Sequence, residues 1–212
     1  EDQEGIVREV LRNLEIPDTV LKPNQVLAKI SDAKNSLVDP ETMMRTAMSP
    51  PAKRIAECYA LYRDALKRAG ALDFDDLIAE VVRLFRDDAE AASKWGRRFA
   101  HVLVDEYQDT NHAQFRMVQS LSAQHRELFV VGDDDQSIYG WRGADLSNVL
   151  DFETAFPGAA VVRLEQNYRS TSTILDAANA IIKCNRHRKG KTLWSDRPGG
   201  TPIAFTLAGD ET

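Results

Sequence analysis

Cysteine and long apolar runs are scarce in this sequence of 212 residues. Its two cysteines, Cys58 and Cys184, lie far apart, and neither has a second cysteine nearby at a metal-binding spacing. This favours reduced thiols in a cytosolic protein over a disulfide framework or a zinc site. No apolar run approaches the roughly 18 residues that a membrane span needs, and the opening EDQEGIVREV lacks a signal-peptide pattern. We therefore expect a cytoplasmic protein with no membrane partner.

An excess of positive charge is also missing. The sequence has 27 basic and 33 acidic residues, for a net charge of −6. This excludes a uniformly basic coat for nucleic acid, but it leaves room for a local cationic groove. The contents of 43% hydrophobic and 28% charged residues are ordinary for a globular protein. At about 150 residues per domain, the length predicts one or two domains.

Residues 1 to about 93 carry helical patterns. Apolar side chains recur at steps of three and four residues in 55–69 and again in 77–85, which is typical of amphipathic helices. Prolines separate shorter helices before them. We expect this part of the chain to be entirely helical.

Three short apolar runs follow, at residues 101–104, 128–131 and 160–164. Helical patterns lie between or after them, at 112–123, about 145–155 and 172–183. Alternating strands and helices with near-continuous apolar strand cores indicate a parallel α/β sheet covered on both faces. Ligands of such sheets bind at the carboxyl ends of the strands, and the polar clusters of this sequence begin where the strands end.

The first polar cluster is DEYQDT, at residues 105–110. Asp105 and Glu106 at a strand end suit phosphoryl transfer, in which one acid lies near Mg²⁺ and another acts as a base toward water. The alternative is an acidic turn that caps the helix starting near Asn111.

The second cluster is GDDDQSIYGWRGA, at residues 132–144. Gln136 is a neutral group that can bond a phosphate oxygen or a water. Tyr139, Trp141 and Arg142 offer flat surfaces that stack on unpaired bases, at about 1–3 kcal/mol for each base. The alternative is a Tyr/Trp pair buried in the core beside a solvated turn of three aspartates.

The third cluster is LEQNYRST, at residues 164–171. Arg169, just past a strand end, could reach across a cleft to a terminal phosphate as an arginine finger. Tyr168 beside it could stack on a purine base. The alternative is a helix N-terminus capped by Ser170 or Thr171.

Residues 190–192, Gly-Lys-Thr, look like the end of a phosphate-binding loop. The pattern needs its first glycine at position 185, which is Asn185, and no strand precedes the segment. We therefore do not expect a nucleotide loop there. The six lysines and arginines between 183 and 197 could contact a nucleic-acid backbone, and a solvated basic face is the alternative.

The three clusters, in this order, resemble motifs II, III and IV of the superfamily 1 DNA helicases of the UvrD/PcrA/Rep type. Residues 72–77, LDFDDL, and residues 185–186 also fit. The resemblance covers essentially the whole chain. It implies ATP and Mg²⁺ as cofactors, single-stranded and duplex DNA as partners, and ATP-driven 3′ to 5′ movement with duplex unwinding in DNA repair or replication.

The resemblance implies a role for each matching residue. Asp105 would hold Mg²⁺, Glu106 would activate the attacking water, and Gln136 would sense the γ-phosphate. Arg169 would stabilise charge on the transferred group, and Tyr168 would stack on the adenine. The residues implied to contact single-stranded DNA are Phe74, Tyr139, Trp141 and Arg142.

Two parts of the family pattern are missing from the sequence: the phosphate-binding loop with its Lys and Ser/Thr, and the late motifs V and VI. The chain also begins without Met and stops at residues 207–212, just after a strand-like run. We therefore expect an internal fragment that does not turn over ATP by itself. Residues 1–93 would be the helical insertion domain of the first motor domain, 94–158 the second half of that domain, and 159–212 the start of the second. The implied fold is α/β, with RecA-like parallel sheet pieces of the P-loop NTPase type preceded by the all-helical insertion.

Three other functions are compatible with parts of this pattern. A metal-dependent phosphoesterase would use the acids of residues 105–109 and 133–135 as ligands of two metal ions, but it leaves Gln136, Trp141 and Arg169 unexplained. A non-catalytic single-strand-binding module does not need the intact Asp105 and Glu106 pair. The helicase subunit of a helicase–nuclease complex would carry an additional nuclease domain downstream.

Overall fold

The computed structural model of the chain describes residues 2–186, 188–206 and 209, and the chain divides into two compact units. The first unit comprises Glu1–Asp133 and Ser137–Val149, and the second comprises Asp134–Gln136 and Leu150–Thr212. Of the closing residues 207–212, only Gly209 is among those described. The domain limits expected near residues 93 and 158 stay a prediction.

The helical patterns of the first part are confirmed. Proline begins α2, α3 and α4, at a position where its missing N–H costs nothing because the first helical N–H groups have no partner inside the helix. In the part of the chain that the structure describes, no helix is both long and apolar enough to cross a membrane. Among the described residues up to 98, the helices are α1 (Asp2–Asn13), α2 (Pro23–Asn35), α3 (Pro40–Thr46), α4 (Pro50–Arg68), α5 (Phe74–Asp87) and α6 (Ala89–Arg98).

The main core lies between α1, α2 and α4. Tyr59 and Tyr62 project into it from the face of α4 that the three- and four-residue spacing predicted. Cys58 is buried beside them, and burial raises the pKa of its thiol to about 11. Both cysteines are free thiols, as their separation in sequence predicted. The buried side chains of this core are Val7, Val10, Leu11, Val26, Ile30, Ala33, Cys58, Tyr59, Tyr62 and Leu66.

A buried ion-pair network joins α2, α4 and α5. Lys34 is only 3% exposed. Its Nζ lies 2.6 Å from Asp73 Oδ2 and 2.7 Å from Asp76 Oδ1. The Tyr62 hydroxyl donates to Asp73 at 2.9 Å. Asp73 also caps α5, because its side chain accepts the Asp76 N–H and the Asp76 side chain accepts the Asp73 N–H. Phe74 is the first residue of α5, so this network fixes the position of its backbone at the start of that helix.

The sheet of the first unit is a parallel pair of strands, β1 (Val102–Val104) and β2 (Leu128–Val130). Leu103 lies opposite Phe129 in the register. Helix α7 (His112–Ser122) connects the two strands, so the predicted strand–helix–strand order is confirmed here. Parallel strands need such a crossover, because a tight turn can only join antiparallel neighbours.

The strand predicted at residues 160–164 is wrong. Among the described residues this stretch pairs with no other strand, and the side chains of Val162 and Leu164 are each 79% exposed. An extended segment becomes a strand only when a neighbour satisfies its backbone groups, and here pairing begins later, at a single bridge between Gln166 and Trp194. The helical pattern at about 145–155 forms two short helices, α8 (Ser147–Leu150) and α9 (Phe152–Ala155), and the pattern at 172–183 forms α10 (Ser172–Ile182).

Candidate functional site

The polar segments that follow β1 and β2 leave the sheet side by side. The Val131 N–H donates to the Val104 carbonyl at 2.8 Å, and the Tyr107 N–H donates to the Val131 carbonyl at 2.9 Å. These bonds continue the parallel pairing just beyond the strands. Asp105 and Glu106 therefore lie beside the start of the loop after β2, at the sheet edge where α/β proteins bind ligands.

Glu106 turns the chain sharply at the end of β1. Its φ of 50° and ψ of 43° are left-handed, a conformation that is uncommon for a residue other than glycine. The Asp105 Oδ1 accepts the Glu106 N–H at 2.9 Å, which supports the turn. Both side chains are exposed, so the turn presents two carboxylates to solvent next to each other.

Gln108 lies beneath these carboxylates, and the sequence alone did not predict its role. The side chain is 1% exposed. Its Nε2 donates to Glu106 Oε2 at 2.8 Å and to Asp109 Oδ2 at 3.4 Å, and its Oε1 accepts the Asp133 N–H at 2.9 Å. The signal in the sequence was its place inside the DEYQDT run, but only the fold shows that it touches both strand ends.

Helix α7 has a cap other than the two carboxylates. The Asn111 side chain accepts the Gln114 N–H, and the Gln114 side chain accepts the Asn111 N–H, in a reciprocal capping box. The Asn111 Nδ2 also donates to Asn35 Oδ1 of α2 at 2.7 Å. The helix start near Asn111 is therefore confirmed, but Asp105 and Glu106 are not its caps, which removes the capping alternative for that pair.

Thr110 connects the turn after β1 to the segment that follows the second cluster. Its carbonyl accepts the Asp145 N–H at 2.9 Å and the Asn148 Nδ2 at 3.0 Å. Its hydroxyl donates to the Tyr107 carbonyl at 2.7 Å. Thr110 and Asn148 are both buried, so a shift of either segment displaces hydrogen bonds that water cannot replace.

Four of the predicted site residues line one cleft of about 760 Å³ in the first unit. The cleft opens between α2, the start of α5, the turn before α7, and the loop after β2. Tyr139 is 37% exposed and Trp141 is 73% exposed, so the alternative of a Tyr/Trp pair buried in the core is wrong, and Phe74 is 85% exposed. The lining residues are Ala28, Ser31, Asp32, Asn35, Phe74, Asp75, Ile78, Asp109, Asn111, Gln114, Tyr139, Trp141 and Arg142.

Arg142 orders the aromatic side of this cleft. Its guanidinium carbon lies 4.5 Å from the centre of the Trp141 ring and 5.2 Å from the centre of the Tyr139 ring. The two ring centres are 6.3 Å apart and inclined by 50°. A cation over an aromatic face contributes about 0.5–1 kcal/mol at an exposed site, so Arg142 favours this arrangement of the two rings.

In the second unit, Tyr168 and Arg169 leave a tightly bonded turn. The Asn167 Oδ1 accepts the N–H groups of Arg169 at 2.9 Å and of Ser170 at 2.8 Å. The Tyr168 hydroxyl donates to Gln166 Oε1 at 2.9 Å, and its side chain is 77% exposed. Thr171 is the N-cap of α10 but makes no side-chain capping bond. The capping alternative is therefore correct about the position of Thr171, but its side chain does not form the capping hydrogen bond.

The aspartates of the second cluster are engaged by basic residues of the same unit. The Asp135 Oδ2 lies 2.7 Å from Arg188 Nη2, and the Asp134 Oδ2 accepts the Lys189 N–H at 2.7 Å. Lys191 lies 3.6 Å from Asp134 and 3.7 Å from Asp135. These pairs use two of the acids that a two-metal phosphoesterase would need, Asp134 and Asp135.

The predicted site residues are therefore divided between the two units. Asp105 and Glu106 lie at the strand ends of the first unit, which also contains the cleft. Gln136, Tyr168 and Arg169 belong to the second unit, and all three are exposed.

Comparison with protein families adds to this geometry. A family model described as the UvrD/REP helicase N-terminal domain matches residues 1–157, and one described as the UvrD-like helicase C-terminal domain matches residues 162–212. The chain belongs to the UvrD/REP helicase family. Phe74, Glu106 and Trp141 fall within the first match, and Tyr168 and Arg169 fall within the second.

Curated members of the UvrD/REP helicase family are similar to nearly the whole chain. The ATP-dependent DNA helicase PcrA of Staphylococcus aureus (strain Mu50) is 44% identical over 204 residues, which is 96% of this chain. The protein of the same name from Bacillus subtilis (strain 168) is 42% identical over 210 residues, or 99% of this chain. The chain spans 28% of the length of each of these relatives.

Proposed function

We propose that this chain is part of an ATP-dependent DNA helicase that moves 3′ to 5′ along single-stranded DNA and unwinds duplexes, in DNA repair or replication in the cytoplasm. Membership of the UvrD/REP helicase family and the names of the PcrA relatives support this assignment. The parallel β1–β2 pair supports a RecA-like sheet of the P-loop NTPase type. In this proposal residues 1–93 are the helical insertion, and 94–158 and 159–212 belong to two motor domains.

Asp105 and Glu106 carry the hydrolytic chemistry in this proposal. Asp105 offers an exposed carboxylate at a strand end, which is the kind of hard oxygen ligand that Mg²⁺ prefers, so the residues fit the ion. When bound, Mg²⁺ would neutralise charge on the nucleotide phosphates. Glu106 would accept a proton from the attacking water, since its carboxylate is exposed and oriented by Gln108.

We also propose that the nucleotide is contacted by Gln136, Tyr168 and Arg169. Gln136 would hydrogen-bond to the γ-phosphate, and Arg169 would stabilise the charge that develops on the transferred group. Tyr168 would stack on the adenine, since its ring is exposed and its hydroxyl is held by Gln166. The Asn167 bonds to the Arg169 and Ser170 backbone favour a fixed starting point for the arginine side chain.

The aromatic cleft of the first unit is the observation that carries the proposal. Phe74 and Trp141 expose flat apolar faces that soluble proteins normally bury, and unpaired bases stack on such faces. Three carboxylates, on Asp32, Asp75 and Asp109, line the same cleft. Their charge disfavours phosphates inside it, so bases would enter while the DNA backbone stays outside.

The hydrogen bonds of Thr110 would couple the nucleotide site to the aromatic segment that we propose to bind single-stranded DNA. Thr110 belongs to the turn that starts with Glu106, and its partners Asp145 and Asn148 follow Trp141 by a few residues. A displacement of the turn on nucleotide hydrolysis would therefore move the aromatic segment. Switches of this kind, which respond to loss of a phosphate contact, drive many nucleotide-dependent motions.

The experiment that tests the proposal is the variant Glu106→Gln in the full-length protein. The amide keeps the size of the side chain but cannot accept the proton, so we expect ATP binding within about twofold of the parent and turnover reduced by about 10² to 10⁴. Glu90→Gln, an exposed glutamate on α6, is the matched control. Turnover near that of the parent in Glu106→Gln would refute the base assignment.

A further inference from the structure

We propose that Gln108 is a positioning residue that holds the Glu106 carboxylate in place and ties it to the carboxyl end of β2. This inference rests on the proposed function, because it assumes that Glu106 acts as the base. The side chain is 1% exposed, and a buried amide that lacks partners is costly. Its hydrogen bonds at both ends therefore define where Gln108 must lie.

The two ends of the Gln108 amide have fixed directions. A backbone N–H can only donate, so the Asp133 N–H at 2.9 Å requires the oxygen of the amide on its side. The Nε2 group then faces Glu106 and donates to Oε2 at 2.8 Å. The Asp133 N–H thus orients Gln108, and Gln108 presents an N–H to the carboxylate oxygen of Glu106.

Gly132 keeps the end of β2 close enough for this contact. A methyl group at position 132 would lie 3.1 Å from Gln108 Oε1 and 3.4 Å from the Gln108 backbone nitrogen. The amide oxygen is already held by Asp133, so it could not move aside without losing that bond. A small displacement of the β2 end therefore shifts Gln108, and Gln108 shifts the Glu106 carboxylate.

The loss of Gln108 has a specific consequence for the reaction. A base misplaced by about 1 Å can cost about 10² in rate, even when substrate binding is intact. Gln108 acts on the reaction only through Glu106, so its loss should lower kcat while KM for ATP stays nearly constant. A residue that only supports folding would instead lower thermal stability without this separation of kcat from KM.

Two variants of the full-length protein separate the two ends of the amide. Gln108→Glu can still accept the Asp133 N–H, but an ionised carboxylate there cannot donate to Glu106 and also repels it. We therefore expect unchanged amide exchange at Asp133 in the nucleotide-free protein and a kcat at least about tenfold lower, with KM for ATP within about twofold. Gln108→Met loses all three side-chain hydrogen bonds of Gln108, so exchange at Asp133 should accelerate at least about tenfold and kcat should fall as well. Gln119→Met, the same substitution on α7, is the control and should resemble the parent.

Gly132→Ala leaves the Gln108 side chain intact and displaces only its position. This variant therefore provides the test if a Gln108 variant does not fold. The same fall in kcat at constant KM is expected. A kcat within about twofold of the parent in folded Gln108→Met or Gly132→Ala, or unchanged Asp133 exchange in Gln108→Met, would overturn the inference. If Glu106→Gln retains turnover, the base assignment in the proposed function has failed, whereas loss of turnover there with normal Gln108 variants rejects the role of Gln108 alone.

Discussion

At the scale of single residues, the cleft depends on Arg142 lying against two rings at once. Its guanidinium is 4.5 Å from the Trp141 ring centre and 5.2 Å from the Tyr139 ring centre. Arg142 thereby restricts two exposed aromatic side chains before any base arrives. Restricting a binding group in advance reduces the entropy lost on binding, which would favour the base stacking that we propose for this cleft.

Trp141→Ala in the full-length protein should weaken single-strand binding. Removing one stacking partner costs about 1–3 kcal/mol, which corresponds to a dissociation constant about 5 to 150 times larger. Fluorescence anisotropy of a labelled oligonucleotide at fixed salt measures this change. Trp95→Ala on α6, a tryptophan that does not line the cleft, is the control, and equal effects of the two substitutions would reject the stacking role.

The sequence predicted the exposed residues of the site better than the buried residue that supports it. Phe74, Tyr139, Trp141 and Arg142 were all predicted, and all four line one cleft. Gln108 was not predicted, since its importance depends on the Asp133 N–H, 25 positions away in the chain. Its place inside the DEYQDT run was a signal, but the local sequence does not show that the fold buries its side chain.

At the scale of helices, the position of Phe74 depends on a buried lysine. Lys34 was not predicted to be buried, because a lysine on an amphipathic helix normally points to solvent. Its partners Asp73 and Asp76 lie about forty positions further along the chain. By contrast, the α4 face that contains Tyr59 and Tyr62 was predictable, since its apolar spacing is local.

Lys34→Met should destabilise the helical part of the chain strongly. Removal of one partner leaves buried carboxylates without a counter-ion, which typically costs about 3–5 kcal/mol. Lys29→Met removes an exposed pair with Asp32 and should cost at most about 1 kcal/mol. Urea unfolding followed by circular dichroism measures both, and similar values for the two variants would contradict the account.

The same network predicts how stability changes in acid. Burial raises the pKa of Asp73, but hydrogen bonds from Lys34, the Asp76 backbone and Tyr62 together lower it below 3.8. Because the pKa is lower in the folded state, this stabilisation is present above about pH 4 and is lost as the pH falls through the lowered value. Acid titration should therefore unfold Lys34→Met at a higher pH than the parent, and an unchanged midpoint would show that Lys34 does not hold Asp73 ionised.

Strand prediction succeeded only where a partner strand is present. The runs at 101–104 and 128–131 pair as β1 and β2, with Leu103 opposite Phe129. The run at 160–164 is also mainly apolar, yet in the described part of the chain it has no strand beside it. Local composition can indicate extended backbone, but pairing depends on what lies next to it.

At the scale of the whole molecule, the residues proposed for nucleotide chemistry are divided between two units. Asp105 and Glu106 belong to the first unit, and Gln136 and Arg169 belong to the second. The 212 residues also cover 28% of the length of the PcrA relatives, so we propose that further residues complete the nucleotide site.

The isolated 212-residue chain should therefore show no DNA-stimulated ATP hydrolysis. The sequence contains no glycine-rich loop ending in Lys and Ser/Thr that matches the phosphate-binding pattern, so the phosphates would lack their main backbone contacts. A coupled ATPase assay with and without single-stranded DNA tests this expectation. Robust turnover by the isolated chain would mean that the fragment interpretation is wrong.

The most direct test of the motor proposal is the DNA stimulation of ATP hydrolysis by Trp141→Ala in the full-length protein, measured at saturating single-stranded DNA. Saturation removes the effect of weaker DNA binding, so any remaining change in stimulation reports the coupling between the cleft and the nucleotide site. We predict that the ratio of turnover with and without DNA falls at least about tenfold, because the DNA strand no longer engages the segment whose Asp145 and Asn148 bond to Thr110, four residues after Glu106. Full stimulation at saturating DNA would contradict the account.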